Sequence, residues 1–227
     1  MAAPADITIK NLNGQWVMDA TLSDPTAPIL TLQGVSWFVR KALPYATVTL
    51  HVNEYTDSED PLVYHMDVDQ VVTGGIQGTK EARKLDWQER SHKDTIFGTI
   101  KGRSRMFRGA KGDDGKTRPA IDVQSKVGGS EADAKVQKFL RGEIQIDGSA
   151  SEGFIVEGEG EEFGEGEGLW MQSYVVNQEV GWTAEQVWGF EIIGGERRYT
   201  RRVAVVKDGK FELGRLVYTF KERRAKE

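Results

Sequence analysis

The sequence predicts an all-β protein, an antiparallel up-and-down β-barrel with a short helical lid after the first strand and an insertion in the middle of the chain. Three observations lead there. Most of the chain alternates apolar and polar residues with period two, rich in β-branched and aromatic types and punctuated by Gly and Asp turns. Helical spacing is confined to two short segments. The strand segments otherwise follow one another without helices between them, which argues for a meander rather than βαβ units. A meander must hide its edge strands, and closing into a barrel does so. An open sandwich is the alternative arrangement.

The elements follow in order. Residues 7–10 form a short lead-in and 14–20 a first strand. Ile29, Leu32, Val35, Val39, Ala42 and Leu43 recur at three- and four-residue spacing, so 27–43 is predicted helical. Gly34 divides it into two short helices, and Pro44 stops it. Strands come next at 47–52 and 62–72, separated by the polar, turn-like 53–60, and then at 81–89 and 95–101. A polar insertion runs from about 108 to 141 and holds a modest helix at 131–140. Further strands are expected at 142–146, 170–176, 186–193, 198–206 and 213–221. Gly194-Gly195 and Asp208-Gly209 mark two hairpins, because these residues adopt the positive φ of a primed turn at little cost. The acidic, glycine-rich stretch at about 152–168 reads as an irregular or mobile segment. It lacks the ordered Asp and Asn ligands and the terminal Glu of a calcium loop. Residues 1–227 are thus expected to form one domain carrying these two interruptions.

Composition narrows the function. With 38% hydrophobic and 29% charged residues the chain reads as an ordinary globular protein, and its net charge of -5 gives no reason to expect nucleic acid as a partner. The absence of cysteine excludes a disulfide framework, a thiolate nucleophile and a cysteine-ligated metal. The opening Met1-Ala2-Ala3-Pro4-Ala5-Asp6 has neither a basic region nor an apolar run, so a reducing compartment, the cytoplasm, is expected. No apolar stretch approaches the roughly 18 residues of a membrane helix, so membrane insertion is not expected. His51, His65 and His92 are scattered and none stands at metal-ligand spacing. No Ser sits in a nucleophile elbow and no glycine loop of the phosphate-binding type opens a helix. Neither a metal nor a cofactor is expected. His65, Asp67 and Asp69 share one strand face, either as an acid–base group or as a plain solvated face.

Several motifs resemble a known family. Gly14-Gln15-Trp16 resembles the Gly-x-Trp that opens the first strand of the calycins, the superfamily of lipocalins and intracellular fatty-acid-binding proteins. Leu32-Gln33-Gly34-Val35-Ser36-Trp37-Phe38-Val39-Arg40-Lys41 resembles the Leu-Gly-Val…Arg-Lys helix-turn-helix that forms the lid of fatty-acid-binding proteins. Lys207-Asp208-Gly209-Lys210 and the strand after it resemble that family's last hairpin. The likeness covers both ends of the chain, and the extra length falls mainly in 108–168. The sequence is also similar to uncharacterised fungal lipocalin-like proteins, some of whose calycin relatives serve secondary metabolism. The resemblance implies a calycin-like barrel around a hydrophobic small molecule, a lipid or secondary metabolite. One departure matters. The Arg-x-Tyr pair that holds the ligand carboxylate in fatty-acid-binding proteins falls on Tyr218 and Phe220, and alternation puts Arg215 on the opposite face. A buried carboxylate without a charge partner is costly, so a fatty acid is disfavoured at that position.

Period-two faces nominate the lining. Trp188, Phe190 and Ile192 share one face of their segment, Trp170, Gln172 and Tyr174 another, and Tyr199, Arg201, Val203 and Val205 a third. With Tyr218 and Phe220 from the last strand, the candidate ligand-binding residues are Trp170, Tyr174, Trp188, Phe190, Tyr199, Arg201, Tyr218 and Phe220. None is assigned a catalytic role. Arg201 is the candidate anchor for a polar ligand group, because an apolar face gives little other reason for a guanidinium; the alternative is an outward-facing member of the basic run 197–202. Three functions remain open: a carrier of a hydrophobic molecule, a cofactor-free isomerase or cyclase acting on a polyketide or terpenoid intermediate, and a packed barrel with an interaction surface. The first is the main reading. The oligomeric state is left open.

Overall fold

The computed structural model describes residues 2–76 and 78–223. The chain opens with β1 (Gly14–Met18) and then makes two short helices, α1 (Ala27–Leu32) and α2 (Trp37–Ala42), followed by a single 3-10 turn at Leu43–Tyr45. Gly34, at φ 78°, makes the left-handed turn between the helices. Ser36 then caps α2 by accepting the Val39 N–H at 3.5 Å. The meander continues through β2 (Val48–Thr56), β3 (Tyr64–Val72), β4 (Lys80–Lys84), β5 (Arg90–Asp94), β6 (Gly98–Lys111) and β7 (Thr117–Pro119). After α3 (Ser130–Leu140) come four long strands: β8 (Glu167–Asn177), β9 (Thr183–Ile193), β10 (Glu196–Lys207) and β11 (Lys210–Glu222).

All the strands belong to one antiparallel sheet, in the order β4-β3-β2-β1-β11-β10-β9-β8-β6-β5, with β7 added to the end of β6. The first strand pairs with the last, setting Trp16 opposite Phe220 and Met18 opposite Tyr218. The sheet curls into a barrel whose seam lies between β4 and β6. Residues 85–88 cross that seam, where the Trp87 N–H donates to the Ser104 carbonyl at 2.8 Å and Asp86 bridges Arg105. A single curled sheet replaces the sandwich alternative. Both predicted hairpins carry positive φ at their two turn residues: 60° and 79° at Gly194 and Gly195, 50° and 72° at Asp208 and Gly209.

Three segments depart from the sequence pattern. β6 runs to Lys111, well past the expected end at 101, and β5 precedes it as a separate strand. The Arg-rich stretch at 103–108 reads as polar because Arg103 and Arg105 stack on the Trp87 ring at 4.6 and 4.4 Å, on the outer face. The expected strand at 81–89 ends at Lys84, since Trp87 turns the chain at φ 60° toward the seam. Residues 142–146 are a turn that makes one isolated bridge, between Ile144 and Ala150.

Two cores result. The inner one fills the lower half of the barrel, with Trp16, Leu50, Met66, Phe190, Tyr199 and Phe220 among its members. The outer one lies where α3 crosses the back of β8–β10 and packs Val136, Phe139 and Leu140 on Trp170, Val187 and Ala204. A buried ion pair stitches this layer down. Arg202 donates to Glu191 at 2.9 Å and also to the carbonyls of Phe139 and Ile144 and the Ser151 hydroxyl. Removing one member of such a pair typically costs about 3–5 kcal/mol. The barrel end away from the helices is shut by the N-terminal residues Ile7, Ile9 and Leu12, together with Ile155 and Phe163. Arg197 ties the two closing segments together by donating to the Pro4 and Ile7 carbonyls and pairing with Glu157. The acidic segment is thus irregular, as expected, yet it is bonded in place.

Candidate ligand-binding site

Opposite the closed end, α1 and α2 lie over the barrel mouth. They are lightly held. Ile29 is the one buried side chain of α1, and α2 has none; its Trp37 and Phe38 face outward. Gly214 makes the room for Ile29, since a Cβ there would come within 2.7 Å of the Ile29 Cδ1. Beneath the helices is a cavity of about 160 Å³.

Its walls differ in character. From β1, β2 and β11 come Met18, Val48, Leu216 and Tyr218, an apolar and aromatic side. From β3, β4, β9 and β10 come Gln70, Glu81, Gln186 and Arg201, the polar side. Below both lies an aromatic floor. Trp16 packs on Tyr199 and Phe220 with ring centroids 5.0 Å apart in each case, and Phe190 lies 5.7 Å from Tyr199.

The polar side presents one cation, Arg201, and one anion, Glu81, whose partner Arg83 lies further along β4 outside the lining. Arg83 is buried and pairs with Glu81. Its guanidinium lies 5.2 Å from the centroid of the Trp188 ring. Burial, and then the neighbouring charge of Arg201, lower its pKa to about 10, so it is still cationic at neutral pH. Arg201 lies 5.9 Å from Trp188 and 5.9 Å from Tyr218, and these ring faces are its partners among the described residues. Its buried Nε has no acceptor. The Tyr199 hydroxyl and the Gln186 Oε1 are likewise buried without partners. Burial raises the pKa of Tyr199 and Tyr218, which keeps both as neutral phenols. Of these residues, Arg201 and Gln186 line the cavity, and Tyr199 lies in the floor beneath it.

The barrel is calycin-like. It starts on a Gly-x-Trp strand, follows it with a helical pair over the mouth, and closes by pairing its first strand with its last. No family model matches the sequence. The chain is 29% identical over 219 residues to "Probable pericyclase scpY" of Mollisia scopiformis, covering 96% of this chain and 94% of that one. It is 24% identical over 225 residues to "Pericyclase pydY" of Acremonium sp, covering 99% and 100%. A solved Schistosoma mansoni fatty acid binding protein in complex with arachidonic acid superposes with a TM-score of 0.47 at 14% identity, over 92% of this chain and 96% of that one.

Six of the eight candidate residues face the barrel interior. Arg201 and Tyr218 line the cavity itself, and Trp188 lies beneath the two guanidiniums. Phe190, Tyr199 and Phe220 form the floor. Trp170 and Tyr174 stand on the other face of β8: Trp170 packs under α3, 6.5 Å from the Phe107 ring, and Tyr174 pairs with Glu185 beside Arg103. Because the insertion buries the outer face of β8 as well, alternation alone cannot tell its inside from its outside. The inward residues of β8 are Leu169, Met171, Ser173 and Val175, in register with Trp188 and its neighbours on β9. Glu81 and Arg83 were not among the candidates, since Lys80-Glu81-Ala82-Arg83-Lys84 is charged on both faces. Gln186 was findable, two residues before Trp188 on the same face. His65, Asp67 and Asp69 point outward, with His65 bonded to Asp57 at 2.8 Å. Among the described residues no group of His, Asp and Glu is placed to hold a metal ion, and no helix is long and apolar enough to cross a membrane.

Proposed function

We propose that the barrel binds a hydrophobic small molecule in the cavity beneath α1 and α2 and promotes a pericyclic rearrangement of it without a cofactor. The observation that carries the reading is the cavity itself: an apolar wall faces open donors and acceptors that no protein group satisfies. Full-length similarity to two proteins named as pericyclases supports turnover over mere carriage. In a pericyclic step electrons shift around a closed ring of atoms, with no nucleophile and no net proton transfer. A protein therefore contributes by folding a flexible conjugated chain into its reactive shape and excluding water. Holding reactants in place can supply roughly 7–11 kcal/mol of barrier reduction in favourable cases. In this account Tyr218 offers a flat face to a conjugated chain. Arg201 donates to an oxygen substituent on it, which holds the chain in position and stabilises charge that shifts onto that oxygen during reaction.

The substrate is then a polyunsaturated intermediate of fungal secondary metabolism, and the protein works in the cytoplasm, a compartment that suits a chain without cysteine. A volume near 160 Å³ is below the ~300 Å³ lower bound of common ligand pockets, so the lid lifts to admit such a chain. The test is turnover. A metabolite extract from a strain lacking this protein is incubated with native and with heat-denatured protein. One precursor converted to an isomer of identical mass by the native protein alone is the expected outcome. A precursor bound and released unchanged supports the carrier reading instead.

A further inference from the structure

We infer that the occupant carries an anionic oxygen group, a carboxylate or an enolate, and that Arg201, backed by Arg83, selects for it against neutral molecules of the same shape. This rests on the cavity reading above and adds the charge of the ligand to it. The lining of the cavity holds one guanidinium, that of Arg201, and one carboxylate, and that carboxylate, Glu81, is already spent on Arg83 further along β4. Tyr199 and Tyr218, the other titratable groups facing this pair, are neutral. One positive charge is left over, and it belongs to Arg201.

Ring faces alone are a weak partner for a guanidinium removed from water. A neutral apolar occupant would press out the water that solvates Arg201 and leave its charge unpaired, a cost of several kcal/mol. An ammonium would meet two like charges. An anionic oxygen instead accepts the donors that have no acceptor, in surroundings where charge attraction is strong. The place differs from the Arg-x-Tyr position of fatty-acid-binding proteins, which is Tyr218 and Phe220 here. The cation comes from β10 and its support from β4, across the barrel from the apolar wall. Glu81 lines the same cavity and competes for the guanidiniums, so it sets the strength of the preference.

The test uses octanoate and 1-octanol, chains small enough for the cavity that differ in the anionic group, titrated by tryptophan fluorescence. Wild type is expected to bind octanoate at least about tenfold tighter than octanol, a difference of about 1.4 kcal/mol. Arg201→Gln abolishes the preference, Arg201→Lys retains part of it, and Glu81→Gln increases it. Equal affinity for the two probes in wild type overturns the inference while leaving the cavity reading intact. So does a preference that survives Arg201→Gln. If that variant does not fold, Arg201→Lys and Glu81→Gln decide, and an unchanged ratio in both overturns the proposal. Binding of neither probe overturns both readings.

Discussion

Glu54 shows how one residue can set the pH behaviour of this fold. It sits at the closed end, where Oε2 accepts the Leu12 N–H at 2.8 Å and Oε1 has no partner. Burial pushes its pKa up to about 8 from an ordinary value of 4.5. In the unfolded chain the proton leaves near 4.5, while the folded protein keeps it until about pH 8. Between those values the unfolded state binds fewer protons, so stability is greatest below the lower value and falls as pH rises, by up to about 1.4 kcal/mol per unit. Glu54→Gln retains the acceptor for Leu12 and removes the ionisation. Relative to wild type, its melting temperature is expected to rise steadily from pH 5 to pH 8, and parallel curves would show that Glu54 ionises freely. Legibility at this scale followed chemistry. Arg201 stood out as a lone cation on an apolar face, whereas Arg83 and Glu54 were hidden among charged neighbours whose burial only the closed barrel decides.

Among the elements, the lid is the part whose energetics bear on function. Burying Ile29 is worth about 1.5–3 kcal/mol, and α2 adds no buried side chain to hold the pair down. Opening is therefore cheap, as entry to a covered cavity requires. Gly214→Val places a side chain against Ile29 without asking the backbone for an unusual φ. The variant is expected to release a bound probe several-fold faster in stopped-flow measurements while melting within a few degrees of wild type. Unchanged release would place the entry route elsewhere. The two helices and both hairpins were legible because Gly34, Gly194-Gly195 and Asp208-Gly209 meet conformational demands that act within a few residues. The facing of β8 was not legible, because both of its sides are buried and the choice depends on an insertion far along the chain.

For the molecule as a whole, the insertion serves as an outer layer. It leaves the barrel interior clear and covers the back of β8–β10, while the acidic segment and the N-terminus close the far end. The barrel was legible because period two runs through nearly every segment, and the lining because β9–β11 alternate cleanly. The polar wall was not, since it is assembled from four strands that only the register brings together. This arrangement leaves one half of the barrel packed and the other hollow, and the central claim is that the hollow half is a binding site. Native mass spectrometry of the protein purified from its own organism tests this most directly, with extraction of whatever is released on denaturation. A hydrophobic compound present at one per chain, lost from the denatured protein, is the predicted result. Protein that is uniformly empty, and remains so after exposure to the organism's own lipid and polyketide extract, would contradict it.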